Sequence, residues 1–184
     1  MNQIIKLLTT GFLTFLFGCG SSTPITFKGI PFDKSGFNSA LQTLCREDQS
    51  NTEYNCGFAA RTDLIMWVSY GVLTHNLATI KLSDDRSLMQ VELTGSTSEM
   101  LAQVEVFTSQ YGEPSKSTEQ ITNGIGMKFD KQIFIWTDNY GTRITVESLY
   151  SKIDEGRIVI DSSSYVKALK SAEKSLIESG KENL

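Results

Sequence analysis

The stretch from Ser96 to Pro114 constrains the fold of this chain more than any other. Ser96-Thr97-Ser98-Glu99 has the form of a capping box, in which the Ser96 hydroxyl accepts from the Glu99 amide while the Glu99 side chain reaches back. Met100, Leu101, Val104, Phe107 and Tyr111 then recur at helical spacing. Gly112 suits the left-handed position beyond a helix end, and Pro114 prevents continuation. The pattern predicts a helix of about four turns that packs by one face on a sheet.

Period-two segments on both sides supply that sheet. Leu64 to Tyr70 is a nearly continuous apolar run containing Trp67. Ala78, Ile80 and Leu82 share a face, and Met89, Val91 and Leu93 alternate with Gln90 and Glu92 across the turn Asp84-Asp85-Arg86. Beyond the helix, Ile125, Met127 and Phe129 alternate, then Ile133 to Trp136, then Ile144 and Val146, then Arg157 to Ile160. Asp138-Asn139-Tyr140-Gly141 and Asp154-Glu155-Gly156 read as turns. A short strand spans Ile25 to Ile30, and Asp33 or Ser35 can cap a helix carrying Phe37, Leu41 and Leu44. Ser162-Ser163-Ser164 caps a last helix with Val166, Leu169, Ala172 and Leu176 inward and Lys167, Lys170, Lys174 and Glu178 outward.

Short connections make such a sheet mainly antiparallel. The expected fold is therefore α+β: a mainly antiparallel sheet of about seven strands with three helices packed on one face. Two successive stretches of one helix plus three strands raise the expectation of a degenerate internal repeat, although the two show no convincing match residue by residue. The single α+β domain is expected over 25–180, with 181–184 frayed.

The N-terminus predicts where this domain works. A basic start with Lys6 leads into a mostly apolar run from Leu7 to Phe17, the length of an export-signal core and too short for a transmembrane helix. Leu16-Phe17-Gly18-Cys19, followed by Gly20-Ser21-Ser22-Thr23-Pro24, resembles the bacterial lipobox, with Phe17 bulkier than the residue usual at its place. The resemblance implies a signal peptide over 1–18 and acyl chains on Cys19, with 19–24 as anchor and linker. Gly20 in place of an Asp implies the periplasmic face of the outer membrane. Loss of 1–18 takes Lys6 away, so the net charge moves from −4 to −5. A mildly acidic domain without a basic run argues against a nucleic-acid partner and against electrostatic docking on anionic lipid, leaving the lipid as the membrane contact.

With Cys19 assigned to lipid, Cys45 and Cys56 remain as a pair in an oxidising compartment, separated by a polar loop. A structural disulfide is expected. Metal binding needs more ligands nearby, since His75, the single His of the chain, is remote, and a reactive thiol needs a base that is not in sight. No cofactor is expected.

The residues that could carry catalysis are few. There is no Gly-x-Ser-x-Gly, and His75 at a strand start reads as a surface or edge residue. Gly124-Ile125-Gly126-Met127-Lys128 touches on a phosphate-binding pattern but opens a strand, not a helix. Asp84-Asp85 and Asp154-Glu155 sit in turns, where solvated carboxylates are common. Trp67, Tyr70, Trp136 and Tyr140 lie on or beside strands and are the candidates for partner binding, with core packing the simpler role for both Trp residues.

Phe27-Lys28-Gly29-Ile30-Pro31-Phe32 and the block from Leu77 to Pro114, ending Gln110-Tyr111-Gly112-Glu113-Pro114, resemble a loose family of small exported bacterial lipoproteins in which a helix ends in Tyr-Gly-x-Pro. The layout is also similar to the helix-and-three-strand units of β-lactamase-inhibitor-like and outer-membrane-assembly lipoprotein domains. Those domains bind proteins, so the resemblance implies a non-enzymatic binding module whose partner is an envelope or foreign protein. A prophage-borne inhibitor or superinfection-exclusion lipoprotein is a narrower version. The competing expectation is a periplasmic hydrolase or small-ligand binder with an unrecognised site.

Overall fold

A computed structural model describes residues 23–34, 57–58 and 63–182. The chain first forms a two-residue hairpin, β1 (Thr26–Phe27) against β2 (Ile30–Pro31). Lys28 and Gly29 both take positive φ (50° and 78°), as the favoured two-residue hairpin turn requires. What reads in sequence as one strand from Ile25 to Ile30 is therefore a reversal. β3 (Gly57–Phe58), β4 (Asp63–Tyr70), β5 (Leu73–Leu82) and β6 (Leu88–Ser96) form a meander that leads into α1 (Thr97–Tyr111). β7 (Ser115–Thr122), β8 (Lys128–Thr137), β9 (Arg143–Glu147) and β10 (Glu155–Asp161) form a second meander, followed by α2 (Ser163–Glu182). Cys19, Cys45, Cys56 and the helix expected after Asp33 lie outside the described residues.

The two meanders join edge to edge. The sheet runs β3-β4-β5-β6-β10-β9-β8-β7, with β10 pairing β6 and every neighbouring pair antiparallel. The fold is thus an α+β domain dominated by one antiparallel sheet. It has eight strands where about seven are expected, and among the described residues it has two helices. The segments around Phe129 and around Ile135 are one continuous strand, β8, so Ile125 and Met127 fall in the turn before it. The strand with no sequence signal is β7: Ser-Lys-Ser-Thr-Glu-Gln-Ile-Thr lies at the sheet edge and is exposed almost throughout, so neither side of it needs apolar residues. Its presence gives the second meander four strands, as β3 does the first, where three are expected in each unit.

α1 covers one face of the sheet, as expected. Both halves of its capping box form, with Ser96 Oγ accepting from Glu99 N (3.3 Å) and Glu99 Oε2 from Ser96 N (2.9 Å). Gly112 ends it at φ 84°, ψ −172°, beyond the left-handed helical region and open to glycine alone. Met100, Val104, Phe107 and Tyr111 meet Ala78, Ile80, Val91, Leu93, Ile144, Val146, Ile158 and Ile160 in the core. A ring chain runs through it, Phe27 to Tyr70 to Phe107 to Trp136 to Phe134.

The other face meets the first turn of α2, where Tyr165 lies against Lys81. A ladder of alternating charge crosses this face: Glu92, Arg157, Glu147, Lys131 and Glu119, from β6 through β10, β9 and β8 to β7. Beside it Asp161 accepts from Arg143 Nη2 (2.8 Å) and from Gln90 Nε2 (2.7 Å). α2 departs from expectation. Ser162 Oγ caps it by accepting from Tyr165 N (3.1 Å), but every residue from Lys167 to Ser179 is exposed, Leu169 and Leu176 included. Past its first turn, the apolar side that reads as core-facing in the sequence is open to solvent.

Candidate functional site

Of the four aromatic candidates, Trp136 is buried among Phe107 and Phe134, with Nε1 donating to Gly112 O (2.8 Å) at the end of α1. Its role is to join helix and sheet. Tyr70 is half-buried between Phe27 and Phe107, its hydroxyl directed at Thr26 O (3.4 Å). Burial, with Tyr111 adding to it, pushes the Tyr70 phenol far up. Burial likewise pushes up Tyr111, helped by the Asp138 carboxylate. Both phenols stay protonated and serve as donors, not bases. The Trp67 and His75 side chains lie outside what is described. Tyr140 is the candidate left at the surface, 68 % exposed.

Tyr140 lines one concave region of the surface. This cleft of about 390 Å³ lies between the β1–β2 hairpin, the β8–β9 turn and the start of α2, lined by Pro24, Phe32, Asp33, Asp138, Tyr140 and Ser163 among others. Two carboxylates converge there, as a hydrolase would need. Both are already engaged. Asp138 accepts from the amides of Ile25, Tyr140 and Thr142 (2.9 Å each). Asp33 accepts from Ser164 N (3.0 Å) and Ser164 Oγ. Both carboxylates tie separate segments together, so the cleft is built as a joint.

The second region is at the far end of β8, whose ten residues rise about 3.3 Å each and so separate the two ends by about 30 Å. Here the β7–β8 turn presents Ile125 (82 % exposed) and Met127 (54 %). Asn123 shapes the turn, its Oδ1 accepting from Ile125 N (3.2 Å) and Met127 N (2.9 Å). The β9–β10 loop adds Tyr150 and Ile153, both exposed, and a groove between turn and loop is lined by Ile121, Phe129, Tyr150 and Ile153. Arg157 lies over the Tyr150 ring at 4.1 Å and holds it.

The chain matches no protein-family model, no curated protein and no solved structure. What the site can do therefore rests on its geometry. No group of His, Cys, Asp and Glu that could hold a metal ion occurs among the described residues. The acidic turns are structural. Asp85 accepts from Ser83 and Ser87, which hold its carboxyl below the ordinary range, and Asp154 accepts Thr97 N (2.9 Å) through its main-chain oxygen. Gly124 to Lys128 is a hairpin turn with Gly126 at φ 84°, and its notable feature is the pair of apolar side chains it exposes. Sequence reading missed Ile125, Met127, Tyr150 and Ile153. The available signal was the polar Ser115–Thr122 segment, which pairs with β8 and leaves 123–127 as a tip.

Proposed function

We propose that this chain is an exported lipoprotein, held at the periplasmic side of an outer membrane by acyl chains on Cys19, whose α+β domain binds another protein without catalysing a reaction. The observation that carries the binding reading is the apolar tip of Ile125, Met127, Tyr150 and Ile153. Exposed apolar clusters with a held aromatic ring are what protein interfaces bury at their centres. Its position adds support. Ile25, the point where the chain enters the domain, is tied to the β8–β9 turn at the opposite end of β8, so an anchor at Cys19 leaves the tip projecting outward. The partner is an envelope protein or a foreign protein reaching the envelope. The exclusion-factor version uses the same surface.

A photo-crosslinking amino acid at position 125 or 127 in the anchored protein should give a discrete protein adduct in its own envelope. The same group at Glu105, on the exposed side of α1, should not. Equal labelling from all three positions, or none, would count against the tip as the binding surface.

A further inference from the structure

Helix α2 starts at the end of the sheet where the chain enters. Asp33, eight residues after Ile25, accepts Ser164 N in its first turn, and Ser163 Oγ lies against Gly141 in the β8–β9 turn that Asp138 ties to Ile25. From Cys19 to Ile25 an extended chain reaches at most about 20 Å. The first turn of α2 therefore lies close to any anchor on Cys19, and the whole twenty-residue helix is about 30 Å long.

Beyond that turn the helix is sorted by character. At 100° per residue, Tyr165, Leu169, Ala172 and Leu176 fall on one side, and Lys167, Lys170 and Lys174 fall on the other, with Ile177 beside Lys170. Leu169, Leu176 (72 % exposed) and Ile177 stand in solvent. Apolar residues on one side and lysines on the other are the pattern of a helix lying in a membrane interface. Two large apolar side chains are too few for the roughly 1,000 Å² that a stable protein contact buries, but they suffice to add to a lipid anchor.

We propose that α2 lies on the bilayer surface beneath the Cys19 anchor, with Leu169 and Leu176 in the headgroup layer and the lysines facing outward towards water. This rests on the lipoprotein reading of Cys19. The anchor holds the helix at high local concentration at the surface, so a weak partition becomes persistent. Two contacts, lipid and helix, fix the orientation of the domain where one flexible tether leaves it free to tumble. The tip at Ile125 is then held away from the bilayer.

The test uses the membrane-purified protein reconstituted in vesicles of phosphatidylethanolamine and phosphatidylglycerol, with and without brominated acyl chains. Leu176→Trp fluorescence, after subtraction of the parent chain, should be quenched about twofold by the brominated lipid, and Lys174→Trp much less. Equal quenching of the two, or none, overturns the proposal. A blue-shifted but unquenched Leu176→Trp also overturns it, because another protein surface then covers the face. The mass of the Cys19 peptide reports the anchor separately. If it carries no acyl chain the anchor reading falls, and quenching of the same variants on added vesicles still decides the placement of α2.

Discussion

The main-chain N–H of Ile25 donates to Oδ2 of Asp138 across 2.9 Å, joining residues 113 apart in the chain. The other oxygen of the same buried carboxylate accepts the amides of Tyr140 and Thr142. One side chain thus shapes the β8–β9 turn and fixes the point where the N-terminal segment enters. Asp138→Ala leaves three amides without their acceptor and should destabilise the domain by roughly 2–4 kcal/mol, since each stranded buried donor costs about 1–3 kcal/mol before relaxation. Asp138→Asn keeps one oxygen and should lose less. Urea unfolding checks both, and an alanine variant within about 0.5 kcal/mol of the parent would show that the joint is not under load.

Glu147 sits at the middle of the charge ladder. Burial by itself raises its carboxyl pKa, but hydrogen bonds and charge from Arg157 and from Lys131 (2.8 Å) outweigh that and hold it below the ordinary value. A carboxyl depressed on folding contributes stability that is present above its unfolded pKa of about 4.3 and is lost as pH falls through the lower folded value. The parent should therefore lose stability in acid more steeply than Glu147→Gln does. At neutral pH the variant should be weaker by about 1–2 kcal/mol, a modest figure because Arg157 and Lys131 are partly solvated. Parallel stability–pH curves for the two proteins would refute this role.

Gly156 is buried where β10 passes under α1. A Cβ there would lie 2.6 Å from Glu147 O and 2.6 Å from Met100 Cγ, with Ser148 O at 3.0 Å. Two of those neighbours are main-chain oxygens of the adjoining strand and cannot move aside without breaking the ladder. Gly156→Ala should cost roughly 1–3 kcal/mol by overpacking, and a Met100→Ala change should relieve little of it. Thermal unfolding of the single and double variants gives the comparison; full rescue by Met100→Ala would place the clash on the side chain alone.

What could be read from sequence follows from how strongly each segment is coupled to the core. The Ser96–Pro114 helix was legible because its cap, apolar side and terminator are all local, and Met100, Val104 and Phe107 do face the sheet. β5, β6, β9 and β10 were legible because one face of each is buried and the other wet. β7 was not, since an exposed edge strand is held by main-chain bonds that leave no mark on side-chain identity. α2 shows the converse error: its 3.6-residue pattern is real, but a pattern says only that one side avoids water, not which surface it meets. Tyr140 was a sound candidate for exposure, whereas Trp136 is taken up by Gly112 and Phe107. The tip could not be found by looking for reactive residue types, because it is made of Ile, Met and Tyr.

The cysteines allow one measurement to test three expectations together. An odd count of three is explained if Cys19 is acylated and Cys45 is bonded to Cys56. Peptide mapping of the mature protein without reductant should find the Cys45 and Cys56 peptides joined, and the Cys19 peptide carrying the mass of its acyl chains at a new N-terminus. Closing so short a loop stabilises by about 3 kcal/mol in the chain-entropy model, so Cys45→Ser and Cys56→Ser should each lower stability by that order. Combined, the two changes should cost no more than either alone, because the second removes nothing further. Cys19→Ser should abolish fatty-acid labelling without changing the unfolding midpoint of the folded domain. Two free thiols at 45 and 56, or an unmodified Cys19 within an intact residue 1–30 segment, would remove the oxidising compartment and the anchor, and with them the orientation that points Ile125 away from the membrane.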